Sequence, residues 1–226
     1  MRLIIKNNNL KIKIVIFLFL ITPIAVFAGN SEKNIILQNV PFASQAPNGN
    51  WKDPRQQDAC EEASALMAIK WARGEKINRQ KIEKEIIAIA EFEKKIYKNF
   101  KDTSALDTAE RIIKNYYQYK NIEVIENADI NKIREELKKN NIIIMPTNGR
   151  ELKNPYYTQP GPERHNLLII GYDFNKKEFI TNDPGTRRGK NYRYGEKIIA
   201  KAMRDYPTGD HLPIKELKKA IIIIKK

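Results

Sequence analysis

Apolar residues recur along this chain at two spacings, and the spacing changes from the first half to the second. Residues Ala59, Ala63, Leu66, Met67 and Ile69 to Trp71 repeat at helical intervals, and Gly74 follows as a stop. Asp58 stands as an N-cap, with Glu61 three residues later completing a capping box. A helix is therefore expected over about 59–73, with Cys60 at its second position. A second helix is expected from Asn78 to about Phe100, with Ile82, Ile86, Ile89, Ala90 and Ile96 on one side. A third starts at Asp102 or Thr103 and ends near Tyr117. A short amphipathic helix over 128–139 carries Ile130, Ile133 and Leu137.

Strand patterns dominate the second half. Residues 121–125 and the continuous run Ile142-Ile143-Ile144-Met145 read as strands, the latter buried on both faces. Residues 148–163 form a polar loop with Pro155, Pro160, Gly161 and Pro162. Residues 165–172 and 178–182 flank a polar turn, which is a hairpin signal. A turn and helix are expected over 194–204, and a last strand over 220–224. An early strand over 35–42 ends at Pro41, and a loop follows over 46–54. Helices first and strands mostly second predict an α+β fold with an antiparallel sheet.

The chain opens with a basic segment, Met1 to Lys13, and an apolar run, Ile14 to Phe27. The run is shorter than the roughly 20 residues of a bilayer span. Val26-Phe27-Ala28 supplies small residues for cleavage, so residues 1–28 read as a signal peptide. The expected location is secreted or extracytoplasmic, with membrane contact only if this segment stays uncleaved. Residues 29–226 suffice for one well-cored domain, which we expect to be a monomer. Removing Arg2, Lys6, Lys11 and Lys13 takes the formal charge from +14 to +10. The remaining lysines are scattered among acids, without the arginine-and-aromatic stripe of nucleic-acid readers, so no specific nucleic-acid partner is expected.

Composition matters most through its single cysteine. An exported chain usually carries paired cysteines or none, so a lone Cys60 points to reactivity, to intermolecular pairing or to a buried structural thiol. One Cys and two His cannot supply the four N/S ligands of a structural zinc site. No metal or cofactor is expected. A helix N-terminus favours the thiolate form of Cys60. Glu61 and Glu62 oppose it, and an imidazolium partner would have to outweigh them.

His165 opens an apolar strand, where a side chain can reach a cleft or simply lie on the surface. Folding the hairpin about residues 174–175 places His165 opposite residues 183–185. Asp183 then falls beside the imidazole, able to hold its tautomer. Asn182 points to the other face, and Asp183-Pro184 also reads as a plain turn. Of the two, Asp183 is expected to face the imidazole. Gln45, Gln56 and Gln57 precede Cys60 as candidate oxyanion donors, and spacing does not choose among them. His211 sits in a loop between Pro207 and Pro213 and reads as a surface residue.

The order of these motifs resembles a known family. Val40-Pro41-Phe42-Ala43-Ser44-Gln45, a Trp-containing loop, Ala59-Cys60, His165 with Gly171-Tyr172-Asp173, and Asn182-Asp183-Pro184 follow one another as in papain-like cysteine peptidases related to the bacteriocin-processing (double-glycine leader) peptidases. The resemblance spans about residues 40–205. It implies a papain-like fold, a helix bearing the nucleophile packed on an antiparallel sheet. It implies Cys60 as nucleophile, His165 as base, Asp183 as orienting acid and Gln45 as oxyanion donor. The chain departs from the pattern at Cys60-Glu61-Glu62, where the family often has Cys-Gly-Pro, and in a longer gap from Gln45 to Cys60.

The expected activity is an exported thiol hydrolase cutting a peptide or isopeptide bond through an acyl-enzyme. Its partner would be a peptide or protein substrate, with cell-wall peptide among the candidates. Peptidoglycan endopeptidase or amidase activity, acyl transfer to an amine, and a non-catalytic binding module of the same shape are the alternatives.

Overall fold

Strands that are apolar on both faces need cover on both faces, and the computed structural model, which describes residues 34–226, supplies it. Seven strands form one sheet: β1 (Ile35–Leu37), β2 (Ile122–Glu126), β3 (Ile142–Thr147), β4 (His165–Asp173), β5 (Glu178–Asn182), β6 (Tyr192–Gly195) and β7 (Ala220–Ile224). Their order is β2-β7-β3-β4-β5-β6, with β1 also on β4, and every pairing is antiparallel. The fold is α+β and papain-like in its layers.

Alternation divides the core in two. Ile142 and Ile144 of β3, Leu168 and Ile170 of β4, and Ile222 and Ile224 of β7 face one cluster. Ile143, Met145, Leu167, Ile169, Ile221 and Ile223 face the other, as the two-residue period of a strand demands. The first face carries α2 (Cys60–Ala72), preceded by the single turn α1 (Pro54–Gln57), and α3 (Ile82–Tyr97). It also carries α4 (Ala105–Asp107), which continues as a π-helix over Thr108–Tyr116. The second face carries α5 (Ile130–Lys138), the short α6 (Gly149–Leu152) and α7 (Glu196–Ala202).

Several expected boundaries shift for physical reasons. Asp58 does not cap α2. The Asp53-Pro54 pair starts α1, where the Asp53 carboxylate accepts from the Arg55 N–H at 3.0 Å and Pro54 occupies the first turn. Asp58 closes α1 through its own N–H, and Ala59 precedes α2 without a side-chain cap. Cys60 is thus the first helical residue of α2. Nor does α2 have one apolar face: every residue from Cys60 to Ile69 is buried, Glu61 and Glu62 included. The second helix starts at Ile82, not Asn78, and Ile96 is half exposed rather than in the core. Ser104 caps the third helix, accepting from the Asp107 N–H at 3.2 Å. The expected strand over 35–42 shortens to β1, and the polar loop over 148–163 contains α6. β6 occupies the start of the segment read as turn and helix.

Among the described residues, no helix is long and apolar enough to cross a membrane. The signal-peptide reading of residues 1–28 lies outside the described residues.

Candidate active site

The hairpin of β4 and β5 builds one half of the site. Leu168 pairs with Asn182 and Ile169 with Thr181, so the segment after β5 returns alongside His165. The His165 Nε2 lies 2.9 Å from Asp183 Oδ1, and both side chains are buried. Asn182 points to the opposite face, donating to the carbonyls of Val40 and Pro41 at 3.3 Å each.

The Asp183 carboxylate is saturated with donors. Its Oδ2 accepts from the Tyr157 hydroxyl at 2.5 Å, the Tyr194 hydroxyl at 2.6 Å and the Asn154 amide at 3.2 Å. Its Oδ1 also accepts from the Gly185 N–H at 3.0 Å. Burial works to raise its pKa. The His165 charge and the hydrogen bonds from His165, Tyr157 and Tyr194 outweigh that and hold it below the usual carboxylate range. Asp183 is therefore an ionised acceptor in fixed orientation. Tyr157 also meets the imidazole edge-on, with ring centroids 5.5 Å apart. Gly185 is needed for this approach: a Cβ there would come within 2.9 Å of His165 Cε1.

The other half is built by the first turn of α2. Cys60 is buried and unpaired by any disulfide. Its thiol donates not to the imidazole but to the Glu61 carboxylate, with Sγ 2.9 Å from Oε2. Glu61 Oε1 accepts from the Tyr206 hydroxyl at 2.7 Å, and that hydroxyl accepts from the Asn166 amide at 2.7 Å. Asn166 follows His165 on β4 and points to the α2 face, so this chain of bonds ties the two halves together. Burial, then the charge and hydrogen bond of Glu61, then Glu62 push the Cys60 thiol well above its ordinary pKa. The helix N-terminus does not make a resting thiolate here, because burial and the adjacent carboxylates oppose it. Burial also raises Glu61, against the hydrogen bonds from Cys60 and Tyr206.

Behind Glu61 lies a second buried carboxyl pair. Neither oxygen of Glu62, nor either of Glu93 on α3, has a hydrogen-bond partner in the structure. Burial first, and then like charge between them, pushes Glu62 well above the ordinary range. Burial, then Glu61, does the same to Glu93. Burial without donors disfavours the ionised form of both.

A cleft of about 1220 Å³ opens over these residues, lined by Gln45, Gln57, Cys60 and His165 among others. The three glutamines are placed differently. Gln45 donates its amide nitrogen to the carbonyls of Gln56 at 3.1 Å and Gln57 at 2.6 Å. Both amide hydrogens are thereby occupied, so Gln45 presents no free donor to the cleft and instead holds the turn that leads into Cys60. Gln56 is buried, donating to Glu83 at 2.8 Å, and Gln57 is exposed on the rim. The N–H groups of a helix's first turn lack intrahelical acceptors, and the Cys60 N–H is one of them, while a backbone hydrogen bond from Asn166 reaches the thiol itself. His211 lines the rim too, exposed, its Nδ1 2.8 Å from Asp102.

Tyr157, Tyr194, Asn154, Tyr206 and Glu61 are parts of the site that motif reading left out. Glu61 was visible as a charge beside the thiol, though not as its hydrogen-bond acceptor. The others come from the loop before β4, from β6 and from the segment after α7, and no local spacing marks them.

Comparison with known proteins agrees with this architecture. No curated protein matches. A crystal structure of a protein assigned as a C39-like peptidase, from Bacillus anthracis, superposes with a TM-score of 0.54 at 16% identity, covering 85% of this chain and 98% of that one. At that identity the likeness speaks for the fold alone. The Peptidase_C39 like family model matches residues 37–207, a stretch that takes in Cys60, His165, Asp183 and most of the sheet that positions them, and the chain belongs to that family.

Proposed function

We propose that this protein is a cysteine peptidase that hydrolyses a peptide or isopeptide bond through an acyl-enzyme on Cys60. The observation that carries the proposal is the His165–Asp183 pair at 2.9 Å, held by donors from two separate segments, with His165 lining the same cleft as the thiol. With Nε2 committed to Asp183, the ring's Nδ1 is the atom left to work on Cys60.

The resting thiol must first leave Glu61, which rotation about the Cys60 Cα–Cβ bond accomplishes. Its proton then passes to His165 Nδ1, and Sγ attacks the substrate carbonyl carbon. The Cys60 N–H stabilises the oxyanion. The imidazolium returns its proton to the leaving amine, and the C–N bond breaks. Water then attacks the thioester, giving its proton to Nδ1, and the thiol is released with that proton. Asp183 holds the ring and stabilises its charged form throughout. The apolar segment 14–27 supports export of this activity, with a protein or cell-wall peptide as substrate.

A binding module is the second reading, favoured by the bond from the thiol to Glu61 and by the occupied Gln45 amide. Internally quenched peptide libraries separate the two. The peptidase reading expects cleavage that Cys60→Ala abolishes. Absence of cleavage across the library, or cleavage that survives Cys60→Ala, overturns it.

A further inference from the structure

The charges of the cleft are not balanced. Its three carboxylates each have a cation. Asp58 lies 3.9 Å from Lys101, and Asp102 lies 2.8 Å from His211 and 3.7 Å from Arg164. Glu163 lies 3.4 Å from Arg164 and 3.9 Å from Arg204. Arg150, Arg187 and Arg188 also line the cleft, are exposed, and have no carboxylate partner among the described residues. The unmatched charge is therefore all positive.

Two of these arginines are placed by the loop that closes over the imidazole. Gly185 touches His165, and Arg187 and Arg188 follow two and three residues later. The Arg187 guanidinium reaches the opposite wall, lying so close to Gly49 that a Cβ built there would meet its Nη2 at 2.1 Å. Gly49 belongs to the loop of Trp51, itself exposed at the cleft. The Arg188 guanidinium stacks 4.8 Å over the Tyr156 ring, the neighbour of Tyr157. A stacked guanidinium keeps its in-plane N–H groups free for a planar acceptor. The stacked Arg188, with Arg187 lining the same cleft, suits a carboxylate, which takes paired N–H donors in a bidentate way.

We infer that Arg187 and Arg188 form a carboxylate-binding subsite beside His165, so that the preferred substrate is a peptide carrying a carboxylate next to the bond to be cut. This deepens the peptidase reading and rests on it. The carboxylate comes from an acidic side chain or from a free C-terminus, and both present the same chemistry. Lys in place of Asp or Glu would meet like charge and be rejected.

The test uses the full chain and internally quenched peptides in which one position near the cleavage site is Asp, Asn or Lys, each made with a free and an amidated C-terminus. At about 0.15 M salt, only contact-range pairing survives screening. The wild-type protein is expected to cut the Asp peptide, or the free-acid peptide, roughly 10-fold or more faster in kcat/KM than its neutral isostere. Which of the two pairs responds identifies the source of the carboxylate. Arg187→Glu with Arg188→Glu is expected to remove that preference and favour Lys. The milder Arg187→Gln with Arg188→Gln removes the preference without reversing it, which guards against misfolding of the first variant. Equal rates for Asp and Asn and for acid and amide, or a preference unchanged in both double variants, overturn the inference. If no peptide is cut, the peptidase reading fails separately. The subsite is then judged by anisotropy of the same peptides, fluorescein-labelled, on Cys60→Ala. Tighter binding of the carboxylate peptides, lost in the double variants, upholds it, and equal binding overturns it.

Discussion

The two halves of this site solve opposite problems. On the sheet side, Asp183 is buried and ionised because five donors, His165, Tyr157, Tyr194, Asn154 and the Gly185 N–H, converge on its two oxygens. On the helix side, Glu62 and Glu93 are just as buried but have no donors, and burial pushes both toward the neutral form. Burial is the same in both places, and the number of hydrogen bonds decides whether charge survives. Cys60 sits between them, its proton turned toward Glu61 and away from the assembled imidazole. The sheet side already has the arrangement the proposed mechanism needs, whereas in that mechanism the helix side has to give up the bond from the thiol to Glu61 first.

The largest expected effects fall on the organised half. His165→Ala should lower kcat by about 1000-fold or more, as loss of a general base and proton donor does. Asp183→Ala should fall by at least about 100-fold, because it leaves the ring without its orienting partner. Asn182→Ala, on the other face of the same strand, should change turnover modestly. A greater loss at Asn182 than at Asp183, measured on the same substrate, would break the comparison.

The helix side should respond in the opposite direction. Glu61→Gln removes the adjacent charge and is expected to lower the Cys60 pKa and raise its iodoacetamide alkylation rate at pH 7.5 by about 10-fold, the equivalent of one pKa unit. An unchanged rate would mean that burial alone masks the thiol. Gln45→Ala should cost about 10-fold in turnover by loosening the turn before Cys60. That is less than the 100- to 1000-fold expected of a true oxyanion donor, and a loss in that higher range would restore Gln45 to the oxyanion hole.

The smallest effects concern stability. Carboxyls whose folded pKa is raised stabilise the fold fully below their unfolded pKa, about 4.3. That contribution is lost as pH rises toward the folded pKa. The protein should therefore lose stability between about pH 4.5 and neutrality. Glu62→Gln and Glu93→Gln should each raise stability at pH 7 by about 1–3 kcal/mol and flatten that dependence. Urea unfolding at pH 5 and pH 7 checks both, and a Glu93→Gln protein less stable at pH 7 than wild type would contradict the neutral-acid assignment.

The organised half was the legible half. Two apolar strands around a short polar turn set the register that brings Asp183 to His165, and a two-residue period put Asn182 on the other side. The continuous run Ile142-Ile143-Ile144-Met145 announced a buried strand. What failed to read out was tertiary. Tyr157 and Tyr194 reach Asp183 from segments 26 and 11 residues away, and neither stands in a motif. Glu61 reads as a capping-box residue, and both glutamates read as charges opposing the thiolate, with nothing local to show that they are buried. Only the packing of α3 and Tyr206 over α2 buries them. The helix that Asp53 and Pro54 start, inside the end of the expected loop, turned Asp58 from the start of α2 into the end of α1. β6 was missed because Tyr-Arg-Tyr-Gly is too short to carry a period.

The proposed peptidase chemistry depends on one transfer, of the Cys60 proton to His165 once a substrate occupies the cleft. Intact-mass spectrometry of the protein incubated with a peptidyl fluoromethyl ketone carrying an acidic residue tests it most directly. We predict a single adduct, mapped to Cys60, forming at least about 100-fold more slowly in His165→Ala and faster in Glu61→Gln. No adduct on Cys60, or one that forms equally fast without the imidazole, would contradict the account.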